Sequence, residues 1–177
     1  MRAVVVYESM YGNTHHVADA IGSGLEEGYD VAVVPVSDAD PAVLADADLV
    51  VVGGPTHMHG MSRASSRKGA ATAAAEEGSG VTLEPDALRQ GLREWLDSLG
   101  TAQYHARAAA FDTRMSGPAA FTGRASKGVS KALRRHGFDL VAEPESFIVT
   151  KENQLAPDEG QRAREWGARL AASTPAR

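Results

Sequence analysis

Six consecutive residues, Ser9, Met10, Tyr11, Gly12, Asn13 and Thr14, carry side-chain types that bind a compact anion. Ser9 and Thr14 bring hydroxyl donors, Asn13 an amide, and Gly12 a backbone that can approach a ligand closely. Ahead of them Ala3 to Tyr7 is an unbroken apolar run, read as a strand buried on both faces. Behind them Val17, Ala18, Ile21 and Leu25 recur at helical spacing. A helix started by such a turn leaves its first N–H groups without intrahelical partners, and they point at one spot. Two readings satisfy this turn: a phosphate site, or a helix start capped by its own Ser and Thr. The spacing is neither G-x-G-x-x-G nor G-x-x-x-x-G-K-[ST], and the turn holds no lysine. If an anion binds, a single phosphate monoester fits better than a triphosphate.

Composition narrows the setting. The chain has 177 residues, enough for one domain with a full core. Its formal net charge is −5, which argues against general nucleic-acid binding. It has no cysteine, which excludes disulfides, thiolate metal sites and thiol redox chemistry. Any electron transfer must therefore run through a bound cofactor. No apolar run approaches the ~20 residues that span a bilayer, and the first residues lead straight into a strand, not a signal peptide. The expectation is a soluble cytoplasmic protein with no membrane span.

The elements that position the turn alternate along the chain. Strands are expected over 3–7, 30–36, 47–52 and 107–111, with a fifth in two pieces, 139–142 and 146–149, bent at Pro144. Pro35 places the second strand at a sheet edge. Helices are expected after the first turn, from Pro85 to Leu99, from Phe121 to Arg135, and after Asp158. Residues 62–82, rich in Ser, Arg, Gly and Ala, read as a mobile insertion, with room for a short helix around Ala70 to Glu77. Ser173 to Arg177 reads as a frayed tail. A single domain over 1–172 results. Its β-α alternation implies a parallel sheet with helices on both faces, with ligands beyond the carboxyl ends of the strands.

Three loops leave those carboxyl ends where strand order reverses. The second runs Gly53 to Met61. It opens on two glycines and a proline, then presents His57, Met58 and His59. No third ligand converges on the two histidines to suggest a metal. The third runs Asp112 to Gly123 and carries Thr113, Arg114, Met115 and Gly117.

The run V-V-Y-x-S-x-x-G-N-T-x-x-x-A-x-x-I, Val5 to Ile21, resembles the flavodoxin signature. That resemblance implies a doubly wound five-stranded α/β sheet in the order 2-1-3-4-5, flavodoxin being itself a standard instance of the switch-point rule. It implies flavin mononucleotide (FMN) as cofactor, with Ser9, Met10, Tyr11, Gly12, Asn13 and Thr14 around the phosphate. It places Pro55, Thr56, His57, Met58, His59 and Gly60, and Asp112, Thr113, Arg114, Met115 and Gly117, around the flavin ring. The sequence departs from the family in the third loop, which has no tyrosine and gains Arg114. Arg114 has two readings: a cation beside the reduced, anionic ring, which implies a weaker reductant than a typical flavodoxin, or a side chain that points to solvent or pairs Asp112.

Three functions follow from these features. The first is an electron carrier that works through bound FMN with a redox partner protein or a small-molecule electron acceptor. The second is an FMN-dependent NAD(P)H:quinone-type oxidoreductase, which the second loop resembles. The third is a binding module that kept the fold and lost the flavin. Arg63, Arg67 and Lys68 in the insertion read as a solvated run, or as an attractor for an acidic partner or anionic substrate.

Overall fold

The computed structural model describes residues 1–100 and 104–173. Among the described residues, seven strands lie in one sheet: β1 (Arg2–Tyr7), β2 (Asp30–Pro35), β3 (Leu49–His57), β4 (Gly60–Met61), β5 (Arg107–Met115), β6 (Asp139–Leu140) and β7 (Glu145–Val149). The helices are α1 (Asn13–Leu25), α2 (Ala64–Ala74), α3 (Leu92–Ser98), α4 (Ala119–Thr122), α5 (Ala125–Arg135) and α6 (Glu159–Ala172). The parallel core runs β2-β1-β3-β5-β6, with β7 also on β5 and β4 folded back antiparallel on β3. With β6 and β7 taken as one interrupted strand, this is the expected 2-1-3-4-5 order. β2, with Pro35, lies at the edge.

Alternation along the strands sorts the core into two layers. Val4, Val6, Val50 and Val52 pack with Trp95 and Leu96 of α3 and Leu133 of α5. Ala3, Val5, Leu49 and Val51 pack on the other face with Ile21 of α1 and Trp166 of α6. There Phe111, Phe147 and Trp166 meet edge to face, with centroids 6.2 to 6.5 Å apart, each contact adding roughly 0.5–1.5 kcal/mol beyond area burial. On this same face α1 and α6 touch backbone to backbone. A Cβ on Gly24 would sit 2.0 Å from the Arg164 carbonyl oxygen, and one on Gly167 2.3 Å from that of Ile21.

Several boundaries move from expectation. β3 and β5 extend into the segments expected as loops, because Gly54 pairs with Asp112 and Pro55 with Thr113. Gly53 is there for space: a Cβ would meet the Phe111 ring at 2.4 Å. The helix expected from Pro85 begins only at Leu92, and Leu88 is exposed rather than core. The helix expected from Phe121 is broken at Gly123, which has φ +77°. A Cβ there would lie 2.2 Å from the His59 backbone. The insertion carries its helix at 64–74, earlier than expected. Asp158 holds the N-cap position of α6, but its side chain makes no capping bond. Of the expected tail, Ser173 forms the C-cap of α6 and 174–177 lie outside the described residues.

Candidate functional site

The carboxyl edge of the sheet spends its polar side chains on some helix starts and not on others. Glu8, at the end of β1, accepts from the Leu92 N–H of α3 at 2.8 Å. Thr56, on β3, accepts from the Ala125 N–H of α5 at 2.9 Å through its hydroxyl. Asp112, fully buried on β5, accepts from the Ser126 N–H at 2.7 Å. Each bond satisfies a first-turn donor that the helix cannot.

The start of α1 has no side-chain cap among the described residues. Gly12 occupies its N-cap position at φ +92° and supplies no side chain. The Ser9 hydroxyl accepts from the Gly12 N–H at 3.1 Å, which shapes the turn rather than capping the helix. Thr14 is buried, its hydroxyl 2.7 Å from that of Thr113. Asn13 donates through its amide to the Asn153 carbonyl at 2.9 Å. His15, which follows, lies between Glu84 (3.4 Å) and Asp19 (3.6 Å) and stacks on Tyr7 with centroids 4.6 Å apart. Burial, with Glu84 and Asp19 adding to it, pushes the Tyr7 phenol up to about 12, so it stays neutral.

In front of this start lies a cleft of about 110 Å³, the space of roughly four waters at ~30 Å³ each. Ser9, Met10, Tyr11, Asn13 and Thr14 form one wall. Pro55, Thr56 and His57 form a second, and Thr113, Arg114 and Met115 a third. The three segments singled out in the sequence therefore converge. Tyr11 and His57 are the aromatic rings at the cleft, and the Tyr11 hydroxyl donates to the Ala70 carbonyl of α2 at 2.8 Å. Arg114 donates to the Gly117 carbonyl at 2.8 Å and the Thr122 hydroxyl at 2.9 Å, holding the turn after β5. It pairs with no carboxylate among the described residues.

Not every expected site residue faces the cleft. Asp112 is in the interior, and Gly117 is on the far side of the Arg114 bond. Met58 and His59 form the two-residue turn between β3 and β4, both at positive φ (+46° and +73°). Primed hairpin turns require that geometry and normally recruit Asn or Gly, so two ordinary side chains hold strain here. Met58 is 88% exposed. With Gly60, these residues border a second cavity that shares only His57 with the first among the residues lining each.

Two lining residues had no signal in the sequence. Val149 and Asn153 reach the cleft because the fifth strand is split. β6 pairs low on β5, at Arg107 and Ala108, while β7 pairs from Phe111 to Met115, at the cleft end. Asn153, at φ +55°, then turns the chain over Asn13.

Arg67 corrects the reading of the insertion as a solvated run. It is buried, bonded twice to Glu94 (3.1 and 3.2 Å) and once to Ser62 (3.0 Å). Burial alone would push the Glu94 carboxyl up, but its hydrogen bonds to Arg67 and to the α3 backbone outweigh that and hold it low. Arg67 and Glu8 come within 2.2 and 3.0 Å of where a Gly91 Cβ would be, so only glycine fits between them.

Residues 5–93, half of the chain, match the family model described as flavodoxin. The chain belongs to the flavodoxin family. Proteins of this family bind FMN and transfer electrons to redox partners. Oxidised flavodoxin 1 from Bacillus cereus is 21% identical, with a TM-score of 0.66 over 99% of this chain and 100% of that one. A flavodoxin from the domain Archaea is 22% identical, with a TM-score of 0.63 over 97% of each. Rubredoxin oxygen:oxidoreductase from Desulfovibrio gigas matches at 19% identity and a TM-score of 0.63, over 99% of this chain and 37% of that one. These likenesses show the flavodoxin fold. No curated protein matches the sequence. Among the described residues, no helix is long and apolar enough to cross a membrane.

His57 is the titrating group on the cleft wall of this flavodoxin. Burial lowers its pKa from the ordinary 6.5, Glu8 opposes that shift, and Arg67 adds to it. With the folded value lowered, the unfolded chain takes the proton first. Stability is then complete above pH 6.5 and falls as the pH drops through the lowered folded value. Urea unfolding at pH 7.5 and 5.5 is expected to show a smaller loss for His57→Gln than for the parent. Equal losses would contradict the assignment.

Proposed function

We propose that the cleft binds FMN, and that the protein is a cytoplasmic electron carrier serving a redox partner protein or a small-molecule electron acceptor, with no role in nucleic-acid binding. The observation that carries this reading is the open start of α1. Its first-turn N–H groups, at Asn13, Thr14 and His15, have no side-chain cap among the described residues, while α3 and α5 beside it are capped by side chains. Free N–H groups and the positive end of the helix dipole suit a phosphate monoester. Gly12 fits the same role. A side chain there would be strained at φ +92° and would meet Glu84 Oε1 at 3.2 Å.

The other walls suit the ring. Pro55, Thr56 and His57 on one side and Thr113, Arg114 and Met115 on the other come from adjacent paired strands, so their separation is fixed by the sheet. Rigid strands hold a ligand more closely than free loops do. Bound FMN supplies one- or two-electron transfer at its ring. The chain's own contribution is to hold the phosphate, orient the ring and set the local charge. Ser9, Met10, Tyr11, Gly12, Asn13 and Thr14 act at the phosphate end. Met58, His59 and Gly60 line the adjoining cavity, which meets the ring site at His57, and Asp112 and Gly117 support the ring site from behind through α5 and Arg114.

Arg114 sets the sign of the charge. Arg114 lines the cleft, and its guanidinium is neutralised by no carboxylate among the described residues. A cation there stabilises added negative charge.

The chain incubated with FMN and desalted is expected to keep absorbance near ~450 nm, the oxidised-flavin band. A colourless protein would overturn the proposal. In the loaded protein, Arg114→Glu is expected to lower the two-electron potential by about 30 mV or more, equivalent to ~1.4 kcal/mol. Dye-equilibrated titration reads this directly, and an unchanged or raised potential would remove Arg114 from the account.

A further inference from the structure

Beyond the β3–β4 turn lies a second cavity, of about 440 Å³. That is within the range of small-molecule sites. It adjoins the cleft at His57, which lines both. Its polar groups are Arg63, Arg93, Ser65, Ser66 and the two histidines, and no carboxylate lines it. In a chain of net charge −5 this is a local reversal of sign.

The two arginines are not used up by the fold. Arg93 donates through Nε to the Ser62 carbonyl at 3.3 Å and through Nη2 to the Met61 carbonyl at 3.1 Å. Those bonds fix the guanidinium plane and leave Nη1 without a bond among the described residues. Arg63 bonds Ser66 through its backbone, and its guanidinium has no hydrogen bond or ion pair among the described residues. Arg67, their neighbour in sequence, shows the contrast, being consumed by Glu94. A fixed guanidinium with a free donor, lining one cavity with a second arginine, suits a carboxylate or phosphate.

We infer that this cavity binds the carboxylate or phosphate group of a small organic molecule whose remaining body lies toward His57 and the cleft. That molecule would be the redox partner of the bound FMN, and to that extent the inference rests on the function proposed above. The binding itself does not.

The test uses three probes of one shape: 2-naphthoate, 2-naphthyl phosphate and the uncharged 2-naphthamide. Each is titrated into the full chain, with and without FMN, and followed by amide chemical shifts. The anionic probes are expected to bind at least fivefold tighter than the amide, with shifts centred on Gly60 to Ser66 and Arg93, and to weaken with added salt. Arg63→Glu is expected to abolish that preference without lowering the melting temperature, because its guanidinium holds nothing in the fold. Arg93→Gln should reduce it as well. A preference for only one anion would support the inference and name its source as carboxylate or phosphate. Equal binding of all three probes, no binding, shifts elsewhere, or a preference untouched by Arg63→Glu would overturn it. Loss of the ~450 nm band in the same samples would instead count against FMN, while the probe titration in the FMN-free chain still decides the cavity.

Discussion

The carboxyl edge of the sheet depends on how its helix starts are satisfied, and the first-turn N–H groups of α1 have no side-chain cap among the described residues. Burying polar groups without partners costs free energy, so a helix start at the edge of a packed sheet is normally capped or wet. Here the neighbouring starts are supplied from within: Glu8 serves α3, while Thr56 and Asp112 serve α5. α1 instead begins at a glycine in the left-handed region, facing a cleft walled by hydroxyl, amide and imidazole side chains. An anion is the partner we propose for that arrangement. On that proposal, the same edge that tightens α3 and α5 onto the sheet leaves one helix dipole for a ligand.

The residues around the cleft are held by longer connections than their sequence positions suggest. Tyr11 ties the turn to α2 through the Ala70 carbonyl, and Arg67 ties α2 to α3 through Glu94. Such a half-buried, doubly bonded pair offsets its desolvation only while both partners remain. The insertion is thus fastened at two points about one turn apart in its helix, Ala70 against the turn before α1 and Arg67 against α3. That fastening also sets where Arg63 and Arg93 stand.

Much of this was legible in residues 3–25. The apolar run, the turn composition and the helical spacing of Val17, Ile21 and Leu25 all describe β1, the turn and α1 as found, because each signal is local. The edge position of β2 followed from Pro35 alone. What escaped was set by distant partners. Thr56 and Asp112 look like loop ligands in sequence, but their acceptors meet α5 across 69 and 14 positions. Nothing local marks Arg67 as buried, since Glu94 and Ser62 that receive it are supplied by other segments. Leu88 fits a helical face by spacing, yet the helix waits for Gly91, where Glu8 and Arg67 leave room for no side chain. Val149 and Asn153 entered the cleft through the offset of β7 along β5, a register choice that no short motif announces.

The claim that α1 is reserved for a phosphate is tested most directly by comparing the affinities of FMN and riboflavin for the FMN-free protein. The two ligands share the ring and differ at the phosphate. Charge-assisted hydrogen bonds contribute about 1.5–3 kcal/mol each, so two or more at the helix start predict FMN binding at least ~100-fold tighter. Equal affinities would contradict the account, because the open helix start would then contribute nothing to recognition.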